Sequence, residues 1–160
     1  MAFEKAAQMR RTAVVVVVAV VVGLSGCLTM QVPERFLVVE SGPGVLRALT
    51  PEESKIWVRD FDDDTKASMS FWKDALKADL IKNRGYTLIN ESQLQDGGGH
   101  QGSILTLETT LSGRPVRELL AVFVIPGLLS NTIRVAEFVA DKEAFDAEVE
   151  GVKQGLTTLK

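Results

Sequence analysis

LLAVFVIPGLLSNTIRVAEFVADKEAF, residues 119–145, reads as two strands, the turn between them and the start of a helix. Residues 119–125 are apolar without interruption, the pattern of a central strand. Pro126, Gly127, Ser130 and Asn131 then punctuate the chain, and residues 133–139 return as a second strand. So short a connection favours antiparallel pairing. Asp141 is a candidate helix N-cap with Glu143 in the first turn. From there Phe145, Val149, Val152, Leu156 and Leu159 recur at steps of four, three, four and three, one apolar face matched to a sheet.

Working outward, residues 104–111 alternate, with Leu105, Leu107 and Leu111 facing one way and Thr106, Glu108 and Thr110 the other. Gly97-Gly98-Gly99-His100 reads as a flexible loop, and residues 86–90 as a strand. Further upstream, Met69, Trp72, Leu76 and Leu80 mark the buried stripe of a helix over residues 66–84. Lys82 and Arg84 suit its last turn, and Gly85 its left-handed end. Residues 45–49 and 55–61 read as strands joined by a turn at Pro51. In the second of them Ile56, Val58 and Asp60 share one face, and Trp57, Arg59 and Phe61 the other. Two strands, a helix, four strands and a helix predict an α+β fold. Its mostly antiparallel sheet is flanked by two amphipathic helices in a single domain over residues 32–160.

The first thirty residues differ in kind. Lys5, Arg10 and Arg11 precede an apolar run at residues 13–22, and Leu24-Ser25-Gly26-Cys27 follows. The order is that of an export signal. The tetrapeptide resembles the lipobox of bacterial lipoprotein precursors. That resemblance implies a signal peptide over residues 1–26, with Leu24, Ser25 and Gly26 recognised by the signal peptidase. It also implies a diacylglyceryl, palmitate-type anchor on Cys27, with residues 27–31 as a short tether. An uncleaved membrane-spanning anchor is the alternative, since about twenty residues without charge can span a bilayer. Either way residues 34–160 lie outside the cytoplasm. Leu28, where an aspartate would favour inner-membrane retention, points to the periplasmic side of the outer membrane in a cell that has one.

Later features resemble the PsbP-like fold. These are the opening Val32-Pro33 with Phe36, the helix bearing Phe71 and Trp72, Gly85-Tyr86 closing it, and VADKEAF at residues 139–145 leading into the last helix. The resemblance covers residues 32–160. It implies an α/β/α sandwich and a role in binding other proteins, and it transfers no site residue.

The inventory of reactive groups is sparse. His100 is the only histidine and Cys27 the only cysteine. No disulfide, nucleophilic triad or Cys/His metal set can be assembled, so no catalytic residue, metal ligand or cofactor is assigned. Asp60, Asp62, Asp63 and Asp64 lack the spacing of a calcium loop and read as a solvated turn before a helix. Gly97–Gly99 lacks the following Lys-Ser/Thr of a phosphate cradle. Gly151 and Gly155, four apart, suit a close backbone approach or simply weaken the helix. Removing residues 1–26 takes the formal net charge from −3 to −5, which argues against a nucleic-acid partner. Leu128 and Leu129, apolar in a turn, are the candidate contact to a partner or to lipid. The reading is a lipid-anchored, non-enzymatic envelope protein that binds another envelope protein. The alternative is a carrier or sensor of a small apolar ligand, with a pocket between sheet and helix lined by residues such as Trp57, Trp72 and Phe123.

Overall fold

Strand pairing organises the chain around its apolar runs. The computed structural model describes residues 26–160; the basic start, the apolar run, Leu24 and Ser25 lie outside the described residues. Among the described residues seven strands form one sheet: β1 (Leu37–Gly42), β2 (Val45–Leu49), β3 (Lys55–Asp63), β4 (Thr87–Gln95), β5 (Gln101–Leu111), β6 (Arg114–Ile125) and β7 (Asn131–Asp141). Their spatial order is β1-β2-β3-β7-β6-β5-β4, and every pair is antiparallel. Two helices complete the fold, α1 (Met69–Ala78) and α2 (Lys142–Leu156).

The central position of β6 and β7 follows from their apolar sequences, which are covered on both faces. On one face Leu119, Ala121, Phe123, Ala136 and Phe138 pack with Phe145, Val152 and Leu156 of α2. On the other Leu120, Val122, Ile133 and Val135 pack with Trp72, Leu76 and Leu80 of α1 and its extension. Phe138 stacks on Phe145 at 5.1 Å and meets the edge of Phe36 at 6.0 Å. The result is an α/β/α sandwich, the arrangement that the PsbP-like resemblance implies.

Four local expectations need correction. First, three strands rather than two precede the first helix, the additional one being β1. It is an edge strand with mostly exposed side chains, so no burial alternation marks it. Second, α1 starts at Met69 rather than Lys66. The preceding turn is built on Asp63, whose carboxylate accepts from Thr65 N, Thr65 Oγ1, Ala67 N and Trp72 Nε1. The Thr65 hydroxyl, first among these donors, holds the Asp63 carboxyl below its ordinary range. Ser68 then caps α1 through Phe71 N. The helix continues as one π turn (Asp79–Asn83), and Gly85 ends it at a φ of 70°.

Third, the glycine loop is not loose. Gly97 N donates to Leu159 O at 3.0 Å, and a Cβ on Gly97 would lie 2.6 Å from the Thr158 backbone. Asp96 locks the other side by accepting from the backbone of Gly98 and His100. Fourth, residues 27–31 do not hang free. Cys27 is bridged to Pro43, and Leu28 is 2 % exposed. Thr29 and Lys160 exchange backbone hydrogen bonds at 3.1 and 3.0 Å, and Gln31 N donates to Thr158 Oγ1. The apolar side chains of Leu28, Met30 and Val32 drive this docking by joining the α2-side core.

Of the two α2 glycines, Gly155 makes a close backbone approach and Gly151 an ordinary side-chain contact. Gly155 faces Gln31 O and Gly151 faces Pro33, so residues 30–33 run over a groove that the two glycines leave in the helix.

Candidate functional site

α1 covers only the β5-β6-β7 part of its sheet face, and the β1-β2-β3 part stays open. Alternation along β3 directs Lys55, Trp57, Arg59 and Phe61 to this open part. Antiparallel register places Trp57 between Arg47 of β2 and Glu137 of β7. The Arg59 guanidinium lies 3.9 Å from the Trp57 ring centroid and 5.5 Å from that of Phe61. Its Nη2 donates to Glu137 Oε1 at 2.9 Å. Lys55 Nζ reaches to 5.5 Å from the same indole. The strand pleat thus builds a ladder of aromatic, cation and aromatic, fixed laterally by a carboxylate.

The ladder forms one wall of a groove of about 520 Å³, closed opposite by Leu76, Arg84 and Tyr86. Trp57 Nε1, Arg59 Nε and Arg47 Nε have no hydrogen-bond partner among the described residues. Glu118 sits on the groove floor and is 5 % exposed. Burial pushes its carboxyl above the ordinary range, against the smaller opposing pull of the nearby Tyr86 hydroxyl. Burial first, and Glu118 second, push the Tyr86 phenol up to about 12.

The sign of the Glu118 effect on stability follows from linkage. A carboxyl that binds its proton more tightly when folded stabilises the fold most at low pH. That contribution is lost as pH rises from the unfolded value near 4.5 through the raised folded one. Glu118→Gln is therefore expected to flatten this descent. The difference between the unfolding free energies of variant and wild type should grow with pH over that window. Urea titrations at a series of pH values check it, and parallel curves would contradict it.

Among the described residues no group of three or more His, Cys, Asp or Glu side chains is placed to hold a metal ion. The four aspartates disperse. Asp60 accepts from Nε and Nη2 of Arg134 at 2.8 and 2.9 Å, Asp63 builds the α1 turn, and Asp62 and Asp64 are exposed. His100, at the end of the glycine loop, is half-buried, its Nδ1 3.0 Å from Asp96 Oδ2. Trp57, Trp72 and Phe123 do not line one pocket. Phe123 is fully buried on the α2 face, while Trp72 packs under α1 on the opposite one. Leu128 and Leu129 lie at the β6–β7 tip, 93 % and 87 % exposed. Cys27 and Gly26 are exposed.

Solved structures share this architecture. LpqN of Mycobacterium tuberculosis, involved in cell envelope biogenesis, superposes with a TM-score of 0.61 over 84 % of each chain at 12 % identity. The Ran-binding protein Mog1p of Saccharomyces cerevisiae gives 0.56 over 83 % of this chain and 89 % of its own, also at 12 %. Cyanobacterial PsbP from Synechocystis gives 0.52 over 87 % and 94 %, at 13 %. The fold is PsbP-like. No protein-family model matches the chain, and no curated protein matches it by sequence.

Within the PsbP-like sandwich, part of the groove was visible from sequence alone. The alternation of β3 already set Trp57, Arg59 and Phe61 on one face. Glu118, Tyr86 and Glu137 were missed as their partners. The available signal was a glutamate at 118, beside the apolar run 119–125, and another at 137, among the apolar residues 135–139. A charge held in a central strand needs a partner nearby.

Proposed function

We propose that the chain is a lipid-anchored envelope protein with no chemistry of its own, which binds another envelope protein through the Trp57–Arg59–Phe61 groove. The single observation that carries the reading is the ladder itself. Trp, Tyr and Arg are the side chains that dominate protein–protein binding energy, and here they line one groove on an open sheet face. The LSGC motif at residues 24–27 after an apolar run supports the anchor, with Leu24, Ser25 and Gly26 as recognition residues and Cys27 as acyl acceptor. The involvement of LpqN in cell envelope biogenesis and the Ran binding of Mog1p support a binding role in an envelope setting. Placement at the periplasmic side of an outer membrane rests on Leu28 following the cysteine. No described helix is long and apolar enough to cross a membrane.

The apolar-carrier alternative has no comparable support. Its three lining residues are divided between two faces, and the groove that Trp57 does line carries Lys55, Arg59, Glu118 and Glu137.

A photo-reactive phenylalanine analogue at position 61 tests the reading. Phe61 is 46 % exposed, so the replacement leaves the core intact. In intact cells it is expected to crosslink one specific envelope protein. Adding Trp57→Ala and Arg59→Ala should remove roughly tenfold or more of that product, the size of one hot-spot loss. A crosslink unchanged by the double substitution, or absent throughout, overturns the groove as the binding site.

A further inference from the structure

We infer that the Leu128–Leu129 tip of the β6–β7 hairpin is a second membrane contact, inserted into the lipid surface beside the anchor on Cys27. The inference rests on the acylation of Cys27 proposed above.

The strand register brings the two points to one end of the sheet. Cys27 is bridged to Pro43, in the turn between β1 and β2. That turn meets β3 at Asp60, whose N–H donates to Gly44 O. β3 and β7 continue past this level to the pair Asp63–Asn131, and the 126–130 tip lies beyond it. Three further residues of strand amount to about 10 Å, and three strand spacings separate turn and tip laterally by about 14 Å. The tip is therefore on the anchor's side of the molecule and reaches farther out than the anchor residue itself.

The docked N-terminal segment turns this proximity into a constraint. On a free linker an acylated Cys27 would leave the domain able to rotate. Here the next residue, Leu28, is in the core, and Thr29 is paired with Lys160. Acyl chains entering the bilayer at Cys27 hold this end of the sheet against the surface, where the tip meets lipid.

The tip is built for that contact. Leu128 and Leu129 expose almost their whole side chains, an arrangement that water disfavours and an acyl-chain boundary accepts. The turn is held in shape, since Lys66 Nζ donates to the carbonyls of Gly127 and Leu128 at 3.2 and 2.8 Å. The same bonds occupy two carbonyls that would otherwise enter the interface unpaired. Asp62 and Asp64 flank the tip and are exposed. Their charge favours a zwitterionic over an anionic lipid surface.

A single thiol reports the outcome, because acylation consumes Cys27, the only native cysteine. Lipidated protein carrying Leu129→Cys is labelled with an environment-sensitive dye and reconstituted into phosphatidylcholine vesicles. Glu143→Cys, exposed at the opposite end of the sandwich, serves as the reference. The mass of the N-terminal peptide is recorded on the same samples. The expected result is blue-shifted emission at position 129, quenched by brominated acyl chains, with aqueous emission at 143. Aqueous emission at both positions on a correctly acylated protein overturns the tip contact and leaves the anchor standing. An N-terminal peptide without acyl groups overturns both.

Discussion

Phe138→Ala is expected to lower the unfolding free energy by about 3–5 kcal/mol, the usual cost of emptying a large aromatic site in a core. Phe138 is 1 % exposed and sits between Ile56 of β3 and Leu119 of β6. Its ring lies 12° from parallel with Phe145 on α2 and edge-on to Phe36 ahead of β1. One side chain thus joins the central strand, the C-terminal helix and the N-terminal segment. These three parts are held by different backbone connections and cannot all close on the cavity, so relaxation recovers little. Phe138→Leu retains most of the apolar volume and should cost clearly less. Urea unfolding followed by circular dichroism checks both, and a loss below about 1 kcal/mol for the alanine variant, within the ordinary range for any site, contradicts the assignment of this core.

The second large effect is expected at a glycine. Alanine is favoured over glycine inside a helix by about 1 kcal/mol, so intrinsic propensity alone predicts that Gly155→Ala stabilises. The structure predicts the opposite sign. A Cβ at Gly155 would stand 2.4 Å from Gln31 O and 2.7 Å from Met30 Cε. The backbone oxygen cannot move without pulling Thr29 and Leu28 off the domain, so a net loss of about 1–3 kcal/mol is expected, typical of overpacking. Gly151→Ala is the internal comparison. Its nearest neighbour is Pro33 Cγ at 3.4 Å, an ordinary contact, and it should be neutral or mildly stabilising. Hydrogen exchange separates the two. The paired amides of Thr29 and Lys160 should exchange faster in Gly155→Ala and stay protected in Gly151→Ala. Equal protection in both variants would mean that residues 28–31 are not held by the helix groove.

Most of the fold could be read from residues whose burial has a period. The α2 stripe from Phe145 to Leu159, the α1 stripe from Met69 to Leu80 and the apolar runs of β6 and β7 each declare their neighbours. β1 could not be read this way, because an edge strand with exposed side chains on both faces has no alternation to show. Residues 27–31 were misjudged for a related reason. The segment is short and polar in part, and its docking depends on the α2 glycines more than a hundred residues away. The loop at 97–99 shows the same limit, since its glycines are required by the end of α2 rather than by local freedom.

The groove was half legible. Trp57, Arg59 and Phe61 share a strand face by parity alone, whereas Glu118, Glu137 and Tyr86 join them only through sheet order. That order places β7, the last strand in sequence, beside β3. Strand order of this kind is set by the packing of the whole sandwich. Phe123 failed as a pocket residue for the same reason: its strand is known from sequence, but which helix covers its face is not.

The most direct test of the account is the mass of the N-terminal peptide of protein purified from its native membrane. A lipid-anchored protein gives a chain beginning at Cys27, with a diacylglyceryl thioether on that residue. A chain beginning at Met1 or Ala2 with Cys27 unmodified would contradict it. The domain would then be held by a spanning segment, and its partners would be sought at the inner membrane.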